Sequence, residues 1–193
     1  MLFLNRLYAP GFATGNCEVI GDPDEADIIS AHEWGPCELN ERTGSLDPGE
    51  VNRRLAQMAL ELQGRRSRPI ATRPAIQIAL SQICGREVEV DYLLTGETID
   101  IFGRGAGTAE EVRATKAAME SGGFQRPVFL ANARQVGRVA NHARREGICD
   151  YVVPEGLPSA FRPESSQPWI RRNAFWIPRE LIGAPILLAQ GKL

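Results

Sequence analysis

The sequence lacks most of the features that mark a metal site or a nucleic-acid surface. Its 193 residues include two histidines and four cysteines, and the cysteines, at positions 17, 37, 84 and 149, form no C-x-x-C pair. This spacing argues against a zinc site. The net charge is −2 at pH 7, so no overall positive charge attracts nucleic acid. We therefore expect neither a metal nor a nucleic-acid partner.

Long hydrophobic runs are also missing. The run LIGAPILLA at 181–189 contains Pro185 and is about half as long as a membrane span. The first stretch, MLFLNRLYAPGF, has no basic segment of the kind that opens a signal peptide. Cys84 and Cys149 stand in apolar surroundings and are expected to be buried thiols. These features predict a cytoplasmic protein without a membrane partner.

The sequence does contain short apolar runs that alternate with capped helical segments. Strands are expected over 26–31, 68–72, 88–94, 127–131 and 149–154. Helices are expected between them, with N-caps or first residues at Asp47, Pro74, Thr108 and Asn132. This alternation predicts right-handed crossovers and a doubly wound, mostly parallel sheet of about five strands. The expected fold is a three-layer α/β/α sandwich of the Rossmann-like class.

One domain is expected over the whole of residues 1–193. Residues 1–25 are expected to form an irregular segment before the first strand, and 32–46 a polar loop. The stretch 155–193 is expected to form a loop and then an amphipathic helix, interrupted by Pro178 and Pro185, that packs on the sheet.

Candidate site residues follow from the rule that ligands of open parallel sheets bind beyond the carboxyl ends of the strands. Three residues at these ends are candidates for proton transfer, namely His32, Glu33 and Glu110. Five are candidates for ligand binding: Arg73, Thr108, Asn132, Gln135 and Arg138. The glycine-rich stretch GRGAGTAEE at 103–111 could also bring backbone N–H groups to a phosphate.

Each candidate also has a purely structural interpretation. His32 and Glu33 could belong to a polar loop beside a packed Trp34. Thr108 with Glu111, and Asn132 with Gln135, could be capping pairs at helix starts.

The helix that follows the fourth strand has one apolar face. Helical spacing predicts that four of its residues face the core: Val136, Val139, Ala140 and Ala143. Arg138 lies about one turn from the helix start, close enough to reach an anion in the cleft. His142, Arg144 and Arg145 are expected at the surface.

The segment GAGTAEEVRATKAAMESGGFQRPVFLANARQVGRVANHARREGI resembles the YdcF/SanA-like family of bacterial proteins of uncharacterised function. The resemblance spans about 26–193 and is strongest over 105–148 and 178–192. It implies a Rossmann-like fold and a cleft built from Thr108, Glu110, Gln135 and Arg138, and it places the glutamate of the family's last helix at Glu180. Gln135 stands where the family has a histidine, and a glutamine amide cannot perform the acid–base catalysis or metal binding of an imidazole. The family's first loop is replaced by AHEWGP at 31–36.

The sequence is compatible with three functions. The first is a site for an anionic small molecule, such as a nucleotide or nucleotide-sugar, with Arg73 and Arg138 binding charge and Glu33 or Glu110 orienting or activating the ligand. As an enzyme it would catalyse group transfer or hydrolysis without a tightly held metal. The second is a non-catalytic ligand-binding or regulatory module. The third, from fold analogy alone, is an S-adenosylmethionine- or dinucleotide-dependent enzyme, in which an acidic residue would be expected where Arg73 stands.

Overall fold

The computed structural model describes residues 20–94, 107–167, 170–172 and 174. A short 3-10 helix at Pro23–Glu25 precedes the first strand. Within the described residues the strands are β1 (Ile28–Ala31), β2 (Glu38–Asn40), β3 (Ser45–Asp47), β4 (Ile70–Thr72), β5 (Tyr92–Leu93) and β6 (Pro127–Leu130). The α-helices whose bounds are defined there are α1 (Glu50–Arg65), α2 (Pro74–Cys84), α3 (Thr108–Gly122) and α4 (Ala133–Arg145).

The main sheet has four parallel strands in the order β5-β4-β1-β6. The chain adds β4 and β5 on one side of β1 and then returns to the other side of β1 to form β6. Because such crossovers are right-handed, the reversal places α1 and α2 on one face of the sheet and α3 and α4 on the other. Within each layer α1 packs against α2, and α3 packs against α4. The predicted doubly wound, Rossmann-like α/β/α sandwich is confirmed.

The predicted fifth strand, 149–154, joins the sheet through single-residue bridges. Val152 pairs in parallel with Val128 of β6, and Val153 pairs antiparallel with Ile20. Beyond β6 the order therefore continues outward, and the direction of winding changes between β1 and β6. The carboxyl ends of these two strands mark the switch point, where open α/β sheets bind their ligands.

Strands β1 and β6 are buried along their whole lengths. Successive side chains of a strand point to opposite faces of the sheet, so Ile29 and Ala31 face one helical layer while Ile28 and Ser30 face the other. The core on both sides is apolar, and its largest fully buried side chains include Phe129, Ile28, Ile29, Leu55 and Leu80.

The predicted loop at 32–46 was wrong in part, because it contains most of a hairpin. β2 and β3 pair antiparallel, with Glu38 opposite Asp47. Asp47 is therefore a strand residue, and α1 begins two residues later than expected, at Glu50 with Gly49 as its N-cap. The Asp47 carboxylate instead accepts the N–H of Gly49 at 2.9 Å inside the turn.

Helix starts elsewhere lie close to the prediction. Asn132 is confirmed as the N-cap of α4, with its side chain accepting the N–H of Arg134 at 2.9 Å. Thr108 is the first residue of α3 rather than its cap, which is Gly107. The predicted apolar face of α4 is buried as expected.

Three predictions of burial were wrong. Cys84 and Cys149 are exposed, because Cys84 ends α2 and Cys149 lies in the turn after α4. His142 is buried rather than at the surface. It follows Val139 by three residues, so it lies beside the apolar face of α4 and is covered together with it.

The segment after Val153 returns to the hairpin through Arg162, which is almost fully buried. Its guanidinium donates to the carbonyl oxygens of Pro36 at 2.7 Å, Asp47 at 2.9 Å and Pro48 at 3.3 Å. Leu157 of the same segment lies in the core. Most of the amphipathic helix predicted in the C-terminal stretch 155–193 and most of the predicted segment 1–25 lie outside the described residues.

Two glycines of the hairpin region provide a matched test of this packing. Gly49 and Gly44 both have positive φ angles, of 80° and 67°, but a Cβ at Gly49 would lie 2.8 Å from Cζ of Arg162, whereas one at Gly44 would meet nothing within 4 Å. Gly44→Ala imposes backbone strain of about 1–2 kcal/mol, whereas Gly49→Ala also forces alanine into a backbone conformation, φ 80° and ψ 158°, that is nearly restricted to glycine. We expect Gly49→Ala to lower the free energy of unfolding by about 1–3 kcal/mol more. Urea denaturation measures both, and equal losses would contradict the role of Arg162.

Candidate functional site

A buried polar cluster joins β1 to α3. The residue that follows β1 by one position, His32, keeps the alternation of the strand and faces α3 together with Ser30. On α3, Glu111 and Thr115 are four residues apart and share one face. Two residues of a strand and four of a helix span similar lengths, about 6–7 Å, so the two pairs meet side by side.

The contacts in this cluster are short. Oγ of Ser30 lies 2.8 Å from Oγ1 of Thr115 and 3.1 Å from Nε2 of His32. Nδ1 of His32 lies 2.8 Å from Oε2 of Glu111. His32 is 0% exposed and Glu111 4%, so water reaches neither.

The directions of these hydrogen bonds indicate a charged pair. The Thr115 hydroxyl donates to the carbonyl oxygen of Glu111 at 2.9 Å, so Thr115 accepts the proton of Ser30. Ser30 then accepts from Nε2 of His32, while Nδ1 of His32 donates to the Glu111 carboxylate. All four contacts are satisfied together when the imidazole carries both ring protons. The geometry therefore favours a buried imidazolium–carboxylate pair.

Arg73 and Glu33 connect the cluster to the surface. Arg73 directly follows β4 and Glu33 comes two residues after β1, so these neighbouring parallel strands bring them to the same edge of the sheet. Nη2 of Arg73 lies 3.4 Å from Oε1 of Glu33, and Nε of Arg73 lies 3.8 Å from Oε1 of Glu111. Nη1 of Arg73 donates to the carbonyl of Leu94 at 2.9 Å. The side chains of Arg73 and Glu33 are 11% and 15% exposed, so they lie nearer the surface than His32 and Glu111.

Glu33 is suited to exchange a proton at neutral pH. Burial raises the pKa of its carboxyl to about 7, and the negative charge of Glu111 acts in the same direction, against the lowering effect of Arg73. A carboxyl with a pKa near the working pH serves as an efficient acid or base.

The loop that carries Glu33 is held from below by Asn52 of α1. The N–H of Trp34 donates to Oδ1 of Asn52 at 2.8 Å, and Nδ2 of Asn52 donates to the carbonyls of Gly35 at 3.1 Å and Pro48 at 2.8 Å. Asn52 and Trp34 are both buried. Asn52 was not among the residues predicted from the sequence. The pattern that marks it is a single amide side chain on the otherwise apolar face of α1.

The candidates at the start of α4 have different environments. Asn132 uses its whole amide within the fold, since Oδ1 caps α4 and Nδ2 donates to the carbonyl of Ala160 at 3.0 Å. Gln135 is buried at 5% exposure, and its Nε2 lies 3.5 Å from Oγ1 of Thr108. Arg138 is partly buried, one turn further along the helix.

On α3 the structure brings Glu111, not Glu110, to His32. The Glu110 carboxylate lies at the rim, 3.6 Å from NH1 of Arg113. Glu111 was expected to cap the helix, and its contact with His32 was not predicted. The pattern that indicates this contact is the spacing of two between Ser30 and His32 on the strand, together with the spacing of four between Glu111 and Thr115 on the helix. The predicted site features at 103–106 and Glu180 lie outside the described residues.

His142 remains neutral beside this cluster. Burial lowers the pKa of its imidazole to about 4, and the positive charges of Arg138, Arg145, Arg113 and His32 act in the same direction.

The described ranges contain no group of three or more His, Cys, Asp or Glu side chains placed to hold a metal ion. Within the same ranges, no helix is long and apolar enough to cross a membrane. Comparison of the chain with protein-family models, curated proteins and solved structures finds no match. The site is therefore interpreted from its own geometry.

Glu33 should make stability depend on pH. Its folded-state pKa of about 7 lies above the ordinary value of 4.5, so its contribution to stability is fully present below pH 4.5 and is lost as the pH rises through 7. We expect Glu33→Gln to be more stable than the wild type at pH 8, by up to about 3 kcal/mol, and equal to it at acidic pH. Chemical denaturation across this range measures the difference.

The matched control for this test is Glu41→Gln, which changes an exposed carboxyl of the hairpin and should follow the wild type throughout. Equal pH profiles for Glu33→Gln and the control would contradict the assignment.

His142 should have the opposite effect. Its folded-state pKa of about 4 lies below the ordinary value of 6.5, so its contribution is present above pH 6.5 and is lost as the pH falls through 4. We expect the wild type to lose up to about 3 kcal/mol more than His142→Gln between these limits. Acid denaturation followed by circular dichroism checks this, and identical acid midpoints would refute it.

Proposed function

We propose that the chain binds an anionic small molecule at the carboxyl edge of the sheet, on the β4 side of the switch point. The observation that carries the proposal is the row formed by Glu33, Arg73 and Glu111 above the buried His32, at the carboxyl ends of β1 and β4. Carboxyl ends at a switch point, together with the N-terminal ends of the following helices, form the usual ligand crevice of this fold class. The N–H groups at those helix ends favour negative charge.

The two carboxyl groups of this row do not prevent an anion from binding, because little of their negative charge is uncompensated near neutral pH. Glu111 is matched by His32 at 2.8 Å. The pKa of Glu33 is about 7, so near neutral pH a large fraction of this carboxyl is protonated. Arg73 is then left with positive charge to offer, as a planar donor suited to phosphate or carboxylate. An incoming anion would favour the protonated form of Glu33, so binding should take up a proton and weaken as the pH rises.

We propose proton transfer by Glu33 as the chemistry of this site. Glu33 is partly exposed and Arg73 lies beside it, so it can reach a ligand held by that guanidinium. His32 is fully buried with both ring nitrogens hydrogen-bonded, and its role is to position Glu111 and, through it, Arg73. Group transfer or hydrolysis of a phosphate-bearing substrate fits an acid–base group beside a bound anion.

A non-catalytic binding module is the second candidate. The position of Gln135 favours it, because the glutamine amide cannot transfer protons where the YdcF/SanA-like proteins that the chain resembles carry a histidine. Membership of that family remains part of the proposal, with the family's threonine and arginine positions at Thr108 and Arg138. We also propose a cytoplasmic setting, because the three described cysteines are free thiols, as a reducing compartment maintains them.

Ligand-induced thermal stabilisation tests the anion site. We expect millimolar adenosine monophosphate, and more weakly inorganic phosphate, to raise the Tm of the wild type at pH 6 and to raise it less at pH 8. Arg73→Met and Arg138→Ala should abolish the shift while leaving the fold intact. Arg145→Ala, a matched control at an exposed position of the same helix, should retain it.

An unchanged shift in Arg73→Met would exclude this guanidinium as the anion ligand. A shift that disappears in Arg145→Ala instead would place the binding site at the exposed arginines Arg144 and Arg145. Turnover of a phosphate ester by the wild type, lost in Glu33→Gln with binding retained, would decide for the enzyme over the binding module.

A further inference from the structure

The amide of Gln135 is buried without a full set of partners. Gln135 is the third residue of α4 and is 5% exposed. Its Nε2 makes one long contact, 3.5 Å from Oγ1 of Thr108. Its Oε1 is buried and has no hydrogen-bond partner in the described part of the chain. An amide oxygen that is neither solvated nor bonded is costly, so a native fold keeps one where a partner group comes to it.

The chemistry of that partner follows from the amide itself. Thr108 can donate or accept, so its contact does not decide which end of the Gln135 amide is oxygen and which is nitrogen. In one orientation the buried end needs a donor, and in the other it needs an acceptor. A hydroxyl group is both, and therefore satisfies Gln135 in either orientation.

The surroundings favour a neutral polar group over a charged one. Thr108 opens α3 behind the N-cap Gly107, which has no side chain to cap the first turn. The carboxylate of Glu110 lies in the same turn and is mostly buried. Its negative charge compensates the positive end of the helix dipole. The N-terminus of α3 is therefore less suited than Arg73 to bind the anionic group of a ligand.

The subsite is continuous with the anion site along α3. Thr108 and Glu111 are three residues apart on one face of the helix, about 4.5 Å in axial rise. Glu111 is also the residue that Arg73 approaches. A ligand with its anionic group at Arg73 and a hydroxyl a few bonds away would reach both places.

We propose that the Gln135 amide and the Thr108 hydroxyl bind a ligand hydroxyl, so that the ligand of this site is a hydroxylated anion of the sugar-phosphate class. This inference rests on the anion site proposed above. It adds a requirement that the anion site alone does not impose, namely discrimination between ligands that differ only in their hydroxyl groups.

Two probes separate the two claims. Ribose 5-phosphate and tetrahydrofurfuryl phosphate share a ring and a phosphate, but the second lacks the ring hydroxyls. By isothermal titration calorimetry we expect the wild type to bind ribose 5-phosphate at least about tenfold more tightly, as a site built to bond a hydroxyl does. In Gln135→Leu, which keeps the size and removes the amide, the two Kd values should agree within about twofold.

The apo form of Gln135→Leu should melt no lower than the wild type, because the substitution removes an unpaired buried polar group. Thr108→Val is a second variant of matched shape that should also reduce the preference, and it keeps the test open if Gln135→Leu does not fold.

Equal affinity of the two phosphates for the wild type would overturn the hydroxyl subsite and leave the anion site standing. A preference that survives unchanged in Gln135→Leu would also overturn it, and would indicate that the amide is satisfied by water alone. Binding of neither phosphate would overturn both proposals.

Discussion

The structure around the switch point depends on one buried ion pair, between His32 at the end of β1 and Glu111 in the first turn of α3. Two charges removed from water are stable only when nearly all of their hydrogen bonds are made. Ser30 and Thr115 complete that set, and they are adjacent in the fold because a strand and a helix present side chains at similar spacings. Removing one partner of such a pair costs about 3–5 kcal/mol, so the pair fixes the position of α3 on the sheet.

The pair also determines the charge environment of Arg73 and Glu33 above it. Because His32 compensates Glu111, Arg73 does not have to, and the guanidinium lies between Glu111 and Glu33 at 3.8 Å and 3.4 Å. Glu33 is held in a mostly buried position by the loop that Asn52 anchors, and burial raises its pKa to about 7. A buried hydrogen-bonded pair, a guanidinium and a carboxyl with a pKa near 7 thus occur together, and the proposed anion site rests on this combination.

The sequence predicted the layers and the strand ends because both follow from local rules. The apolar run at 127–131 is typical of a strand buried on both faces, and strand ends bring His32, Glu33 and Arg73 to one edge. The hairpin at 38–47 was missed because both strands are short and mostly exposed, so they have no hydrophobic alternation. Glu111 was missed because capping and ion pairing require the same residue type, and only the packing of α3 on β1 distinguishes the two roles.

The central claim is that the row above His32 and Glu111 binds an anion, and a titration of the ¹⁵N-labelled protein with ribose 5-phosphate followed by NMR tests it most directly. The account predicts that the largest shift changes occur at the Nε–H of Arg73, the ring of His32 and the backbone N–H groups of Thr108 and Glu111. Shift changes confined to the exposed arginines at 65–66 and 144–145, with these groups unmoved, would contradict it.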